Sequence, residues 1–227
     1  MNRSSSVRGF FVMLLLASLL AVAYRAGERG LADVVAQEPR YAIDRWRAGK
    51  LAPDMIKLNT MQAELHKARN LDPGNPNLLE DMGRFHAARV ERGQAYDTEV
   101  RVTRQQALAW FRQALELRPT SGYAWVNVAL MKFRLGEVDQ EFSKSLQQTL
   151  HRSPWEPRVQ LIAIELGLAS WQALSDSTRQ TLRAAIRSQG QWKLVNQKPM
   201  LVSLFKRYKR SDLDCLLEAE PKACGAS

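Results

Sequence analysis

The residues of this chain that could do chemistry are not spaced to form a recognisable active site. Glu156 and Glu165 lie nine residues apart on a predicted helix, so their carboxylates point in different directions and cannot flank one bond as in a glycosidase. The three histidines, His66, His86 and His151, are isolated, and neither a metal-ligand pattern nor a C-x-x-C pair is present. Nucleophile-elbow, zinc-protease, P-loop and dinucleotide-binding motifs are also absent from the sequence. The sequence therefore predicts a non-enzymatic protein with no catalytic residue, cofactor or metal.

The two cysteines lie near the C-terminus. Cys215 and Cys224 are nine residues apart. An even number of cysteines in a chain that enters an oxidising compartment is compatible with a disulfide that closes the tail, and equally with two independent thiols.

Composition limits the class of protein. The chain has 227 residues, of which 45% are hydrophobic, so it is long and apolar enough to bury a core. Its 33 Lys and Arg against 23 Asp and Glu give a net charge of +10, which attracts anionic partners. The basic residues are scattered over nearly every predicted helix, as on an ordinary solvated surface, and we do not expect a nucleic-acid partner.

The N-terminus contains a hydrophobic segment. Residues 9–24 (GFFVMLLLASLLAVAY) are uncharged and lie between Arg8 and Arg25. A short transmembrane helix and a signal peptide cleaved after Ala23 both fit this pattern. We favour the anchor, because helix-compatible sequence follows directly. The basic residues before the segment place the N-terminus in the cytoplasm, so we predict a single-pass inner-membrane protein with a periplasmic body.

Internal repeats organise the rest of the chain. Helix-period spacing dominates, and the fold class predicted is all-α, with an N-terminal transmembrane helix followed by an antiparallel helical array similar to tetratricopeptide (TPR) repeats. Two segments share one pattern of small and large residues and end in Leu-x-Pro, at Pro73 and Pro119; a third, degraded copy ends at Pro154. The distance between the first two copies exceeds the length of a standard TPR repeat by about twelve residues. We assign this excess to the region 93–101, where a longer first helix or an extended loop would absorb it.

The repeat frame also predicts a partner-binding groove. In a superhelix of this kind the inner surface comes mainly from the first helix of each repeat. An Asn and Arg lining beside a Tyr is suited to an extended peptide or a partner helix. The candidate groove residues are Asn77, Glu80, Arg84, Tyr123, Asn127, Leu130 and Arg134.

A distinctive block follows the repeats. It reads S-P-W-E-P-R-V-Q-L from Ser153 and E-L-G-L-A-S-W from Glu165. This block resembles the VpsP-type polysaccharide-biosynthesis proteins of bacterial exopolysaccharide gene clusters. The resemblance implies an accessory role beside membrane and periplasmic proteins of polysaccharide assembly, and it transfers no catalytic residue. Its motif positions are Trp155, Glu156, Pro157, Val159, Gln160, Glu165, Gly167 and Trp171. The two tryptophans are expected to pack in the core.

These patterns divide the chain into six segments. They are a basic cytoplasmic stub (1–8), the anchor or signal peptide (9–25), connecting helices (26–60), degenerate TPR-like repeats (61–154), a W-E-P helical hairpin (155–190) and basic C-terminal short helices (191–227). The second short helix of the last segment begins after residue 210, with a capping box formed by Ser211 and Asp214.

Three functions fit the sequence. The first is an adaptor for exopolysaccharide biosynthesis, polymerisation or export that acts through protein–protein contacts. The second is a general periplasmic TPR scaffold, as in cytochrome maturation or envelope chaperoning. The third is binding of an anionic polysaccharide or lipid by the basic tail, whose residues are Lys193, Lys198, Lys206, Arg207, Tyr208, Lys209 and Arg210.

Overall fold

The fold is all-α, as predicted. The computed structural model describes residues 3–49, 54–91, 93–94, 97–191 and 198–217, and its regular structure over those ranges is helical, without a strand. The α-helices are α1 (Arg3–Arg47), α2 (Met55–Leu71), α3 (Pro76–Arg89), α4 (Thr98–Leu117), α5 (Gly122–Leu135), α6 (Gln140–Arg152), α7 (Pro157–Ala169), α8 (Asp176–Gln191) and α9 (Lys198–Arg207). Two 3₁₀ helices, Trp171–Ala173 and Ser211–Leu217, precede α8 and follow α9 respectively.

Helix α1 changes character along its 45 residues. The side chains of residues 9–24 are exposed on every side, and an 18-residue window of the helix has a mean hydropathy of 2.0 with none of it buried. From Ala32 onwards one face is buried, and this half packs along α2. By length and composition, the apolar half fits a membrane span or a signal sequence.

The chain divides into two compact units, residues 1–88 and 89–227. In the first unit, α1 and α2 pack through buried residues that recur every three or four positions, so each helix turns one stripe inward. On α1 these are Ala32, Ala36 and Ile43, and on α2 they are Met61, Leu65 and Ala68. Small alanines at these positions permit close approach of the two helices.

The second unit is built on one hydrophobic core. Helix α5 packs between α4 and α6, and it also contacts α7; α7 and α8 then pack on α6. Fully buried large side chains, including Phe142, Leu146, Ile164 and Phe205, fill the space between the helices. Helix α9 and the second 3₁₀ helix close this core through Leu201, Leu213 and their neighbours.

The predicted helix ends are confirmed. Helices α2, α4 and α6 end two residues before Pro73, Pro119 and Pro154 respectively. Each closes in the same way, because the residue after the helix donates its N–H to the carbonyl four residues back. Helices α3 and α5 both have 14 residues, so the extra residues between the frames lie in the connection after Arg89 and in the 20-residue α4, not in a longer first helix.

The short helix predicted after residue 210 begins at Ser211, as its capping box with Asp214 indicates. Its type is 3₁₀ over Ser211–Leu217. Seven residues offer few i→i+4 hydrogen bonds to offset the cost of nucleating an α-helix, so the tighter i→i+3 pattern prevails.

Candidate partner-binding site

The predicted groove of the first repeat is largely occupied by the chain itself. Asn77 is exposed at the start of α3, where its backbone N–H donates to Asn75 Oδ1 at 3.0 Å, and Glu80 is buried. Arg84 donates from Nη1 to Asp81 Oδ1 at 3.3 Å and from Nη2 to Asp44 on α1. This surface of α3 therefore binds α1.

Asp81 is the centre of this contact. Its Oδ2 accepts from Arg40 Nε of α1 at 2.5 Å, so the carboxylate lies between two guanidinium groups. Burial raises the pKa of Asp81 even though Arg40 and Arg84 both favour its charged form. The sequence did not single out Asp81, because nothing local to α3 indicates which helix covers it.

The predicted groove of the second repeat is also turned inward. Tyr123 and Leu130 pack partly buried against the hydrophobic core, and Asn127 donates from Nδ2 to the Tyr123 carbonyl at 2.8 Å. Arg134 forms an ion pair with Glu91, with Nη2 and Oε1 3.3 Å apart. These residues therefore help hold α5 in place, and their side chains do not line an open groove.

An open cleft lies instead between α6 and α8. It has a volume of about 930 Å³ and is lined mainly by polar side chains from the starts of both helices. The lining residues are Val138, Asp139, Gln140, Glu141, Ser143, Lys144, Gln147, Ala173, Ser175, Ser177 and Thr178. Gln147 donates to Thr178 Oγ1 at 3.0 Å, which links the two sides of the cleft. Amide, hydroxyl and ammonium groups at this density suit a hydrogen-bonding partner such as an extended polypeptide.

A buried lysine fixes one wall of the cleft. Lys132 Nζ lies 3.0 Å from Glu137, 2.7 Å from Asp139 and 3.2 Å from Glu141. Burial alone would lower the pKa of Lys132, but hydrogen bonds to the three carboxylates raise it. Arg112 of α4 adds two contacts to Glu141, at 2.8 and 2.6 Å. This ion cluster therefore connects α4, α5 and α6.

The same cluster shifts its carboxyl groups in the opposite direction. The pKa of Glu141 is lowered first by its hydrogen bonds with Arg112 and then by Lys132. The pKa of Asp139 is lowered because Lys132 and the backbone N–H of Phe142 outweigh the effect of burial. The acidic residues at 137, 139 and 141, five to nine residues after Lys132, were a sequence signal for this cluster that the repeat pattern obscured.

Arg104 is a second buried cation that the sequence did not reveal. It is 5% exposed and donates to three backbone carbonyls, those of Arg134 at 2.9 Å, Gly93 at 2.8 Å and Val90 at 3.5 Å. Burial, and then the charge of Arg134, lower its pKa. A guanidinium that satisfies loop carbonyls has a structural role, because it fixes the connection between α3 and α4.

The first half of the W-E-P block forms the turn between α6 and α7. Gln160, which is 1% exposed, donates from Nε2 to the carbonyls of Leu150 and Ser153, at 3.1 and 2.9 Å. Ser153 Oγ donates to Glu156 at 3.1 Å. Pro157 opens α7, and Val159 lies in the core. These positions of the motif therefore close one helix and start the next.

The second half of the block connects α7 to the C-terminal elements. Glu165 accepts from Arg207 at 3.0 Å and from the Tyr208 hydroxyl at 3.3 Å. Gly167 is needed for close packing, because a Cβ there would lie 2.4 Å from a methyl group of Leu182 on α8. Trp171 is 6% exposed, and the guanidinium of Arg210 lies 4.1 Å from its ring centroid.

Trp155 contradicts the expectation of core packing for both tryptophans. It is 73% exposed at the turn before α7, whereas Trp171 is buried as predicted. The prolines on either side, Pro154 and Pro157, confine Trp155 to the tight turn between two helices, outside the faces that they bury.

The predicted basic tail is only partly an open charged surface. Lys198, Lys206 and Lys209 are exposed, whereas Arg207 pairs with Glu165 and Arg210 pairs with Asp212. Lys193 and Cys224 lie outside the described residues. Cys215 is disulfide-bonded, and its pairing with Cys224 stays a prediction.

Comparison with known proteins identifies no relative. No family model matches the chain, and no curated protein or solved structure matches it. Over the ranges that the structure describes, no group of three or more His, Cys, Asp or Glu is placed to hold a metal ion. Function must therefore be inferred from the geometry of the chain and from the resemblance of the W-E-P block.

Proposed function

We propose that this protein is a membrane-anchored, non-enzymatic adaptor that assists bacterial exopolysaccharide biosynthesis, polymerisation or export through protein–protein contacts. The observation that supports it most is α1, whose exposed apolar half continues without a break into a half packed on α2. Such a helix attaches a folded unit directly to a bilayer. The pathway is taken from the resemblance of the W-E-P block.

The body of the adaptor is proposed to be a degenerate TPR-like array with a periplasmic location. The repeated 14-residue helices α3 and α5, and the identical closure of α2, α4 and α6, support this arrangement. The excess of positive charge before the apolar segment supports the orientation.

The cleft between α6 and α8 is the proposed docking place of a protein partner. The groove predicted from α3 and α5 is engaged in internal contacts, while the cleft presents hydrogen-bonding groups around a rigid wall. Ser143, Lys144 and Ser177 contribute to its surface from both sides.

Crosslinked pull-down of the full-length protein from native membranes tests the adaptor function. We expect to recover inner-membrane components of polysaccharide assembly. Recovery of cytochrome-maturation or envelope-chaperone components would replace this pathway with a general scaffold role. Recovery of soluble cytoplasmic proteins alone would overturn both the topology and the adaptor function.

The cleft can be tested in the same experiment. A Ser177→Trp substitution places a bulky ring at the cleft, whereas Gln105→Trp places the same ring on the exposed face of α4. We expect recovery of the partner to fall several-fold for the first variant and to be unchanged for the second. Equal recovery from both variants would exclude the cleft as the docking place.

A further inference from the structure

Positive charge is concentrated at the C-terminal end of the second unit. The described residues from 176 to 217 contain eight Lys and Arg against three Asp. Two of these aspartates are already used within the fold: Asp176 pairs with Arg179 at 3.2 Å, and Asp212 pairs with Arg210 at 2.5 Å. The local excess of cations is therefore larger than the overall charge of the chain suggests.

Five cations of this region have no ion-pair partner among the described residues. One of them, Lys198, opens α9, and the other four form two pairs along the chain. Arg183 and Arg187 are one turn apart on α8. Lys206 is in the last turn of α9, and Lys209 lies two residues beyond its end. We call these four residues the basic face. Arg187, Lys206 and Lys209 are exposed, and Arg183 is partly exposed.

Trp171 brings the two pairs together. The guanidinium of Arg183 lies 5.6 Å from the centroid of the Trp171 ring, and that of Arg210 lies 4.1 Å from the same centroid. Lys209 precedes Arg210, and its N–H donates to the Lys206 carbonyl at 3.2 Å. The middle of α8 and the segment that follows α9 therefore approach the same ring, so two pairs of like charge lie in one region of the second unit. Charges of one sign in one region attract an anion.

We propose that the basic face binds an acidic polysaccharide, a linear polymer that carries carboxylate groups along its length. The inference rests on the proposed function, since a polymer of this kind must be accessible to the body of the protein. Guanidinium groups bind carboxylates with two parallel hydrogen bonds, and lysines add mobile point charges. Several such contacts along one chain release counterions and add up to useful affinity.

The surroundings of the basic face favour such a polymer over a lipid surface. Apolar side chains of α9 and the following 3₁₀ helix, such as Leu204, Phe205 and Leu213, are buried in the core. An interfacial helix requires an exposed apolar face to enter the headgroup region, and in this segment Met200 is the large apolar side chain that is exposed, at 54%.

The aromatic residues of the region argue against single-stranded nucleic acid. Trp171 is buried beneath guanidinium groups, and Tyr208 is partly buried with its hydroxyl bonded to Glu165. Single-stranded nucleic acid binds on exposed aromatic rings that stack with its bases. The described part of this surface presents charge without such a ring.

Binding to polygalacturonate tests the proposal. Full-length protein in detergent is titrated with this polymer, with neutral dextran as a control, at salt concentrations from about 50 to about 200 mM. We expect affinity to fall about tenfold or more over this range. The variant R183Q/R187Q/K206Q/K209Q should bind about tenfold or more weakly at low salt, whereas R183K/R187K should retain most of the affinity, because it preserves the charge.

A matched variant separates the basic face from net charge. Arg45, Arg47, Lys67 and Arg158 are exposed elsewhere on the chain, and replacing all four with Gln removes the same charge. Equal weakening by this control would overturn the proposal. Tighter binding to phosphatidylglycerol vesicles or to a single-stranded oligonucleotide than to polygalacturonate would also overturn it.

The outcome is independent of the adaptor test. Polymer binding uses purified protein, whereas the adaptor test reads partner proteins recovered from membranes. Loss of polymer binding in the basic-face variant with normal partner recovery supports the present inference. Absence of polymer binding by the unmodified protein overturns it and leaves the adaptor function standing.

Discussion

Helices α3 and α5 occupy equivalent places in the proposed repeat, yet their polar positions have different partners. In the first unit, Asp81 and Arg84 of α3 are bound to α1. In the second unit, Asn127 of α5 bonds within its own helix, while Tyr123 and Leu130 pack on the core. A shared sequence pattern therefore fixes where a helix begins and ends more firmly than it fixes what covers each face.

The buried charges of the two units differ in sign at their centres. The first unit surrounds a carboxylate, Asp81, with two guanidinium groups, and the second surrounds an ammonium group, Lys132, with three carboxylates. Each centre depends on its partners, because a buried charge without them is costly. Removing the central ammonium group in the second unit and one guanidinium partner in the first should reveal how strongly each arrangement holds its helices.

The largest effect is expected at Lys132. Lys132→Met removes the cation from three carboxylates and should lower the free energy of unfolding by about 2–3 kcal/mol, less than for a fully enclosed pair because the carboxylates are partly exposed. Urea denaturation followed by circular dichroism measures this change. Lys144→Met, at an exposed site on α6, is the control and should change the value by less than about 0.5 kcal/mol. Equal losses in the two variants would show that the cluster is not stabilising.

Arg84→Ala should have the next largest effect. It leaves Asp81 with Arg40 alone and removes a contact to Asp44, so we expect a loss of about 1–2 kcal/mol in the first unit. Hydrogen exchange of peptides from α1 and α3 should accelerate while those of α6 to α8 stay unchanged. Faster exchange confined to the second unit would contradict this assignment.

A fall in pH should weaken the Lys132 cluster of the second unit and favour the folded state at Asp81 in the first. The lowered pKa values of Asp139 and Glu141 mean that their stabilisation is present above the ordinary carboxyl range, near pH 4, and is lost as the pH falls through the folded-state values. The pKa of Asp81 is shifted in the opposite direction, upwards. The folded state therefore binds this proton more readily than the unfolded state, and protonation of Asp81 favours the folded first unit. Below about pH 4, peptides covering 132–142 should lose exchange protection before peptides covering 78–88. The reverse order would refute the prediction.

The smallest effect is expected at Arg134, near the end of α5. Its partner Glu91 is exposed, so Arg134→Ala should cost less than about 0.5 kcal/mol. Measuring it together with Arg84→Ala in one denaturation series compares this exposed ion pair of the second unit with the Arg84 contacts of the first. A loss equal to that of Arg84→Ala would contradict the smaller role of Arg134.

The sequence predicted the elements of this fold better than their contacts. Helix-period spacing and the prolines at 73, 119 and 154 identified helices and their ends, because both signals act over a few residues. The partners of Arg84 and Lys132 depend on which helices meet in space, and no local pattern records that. Trp155 was misjudged for the same reason, since apolar composition favours burial only where a neighbouring element supplies a surface.

The candidate site, too, depends on contacts between helices that no local sequence pattern records. The groove was predicted from the first helices of the repeats, whereas the open cleft lies between α6 and α8, where two helix starts approach each other. The motif that suggested the pathway has an evident packing role at most of its positions, from Gln160 to Gly167 and Trp171. Its sequence specificity therefore reflects the turn and helix contacts that it must form.

The unbroken course of α1 limits how an anchored chain searches for its partners. Seven residues of continuous helix separate Tyr24, at the end of the apolar stretch, from Ala32, the first buried residue, and the rise between the two is about 12 Å. No flexible tether intervenes, so in the proposed anchored protein the first unit would diffuse in two dimensions at a fixed distance from the bilayer surface. Partners that share the membrane would then meet it far more often than partners in the surrounding volume, and a weak contact would be sufficient for assembly.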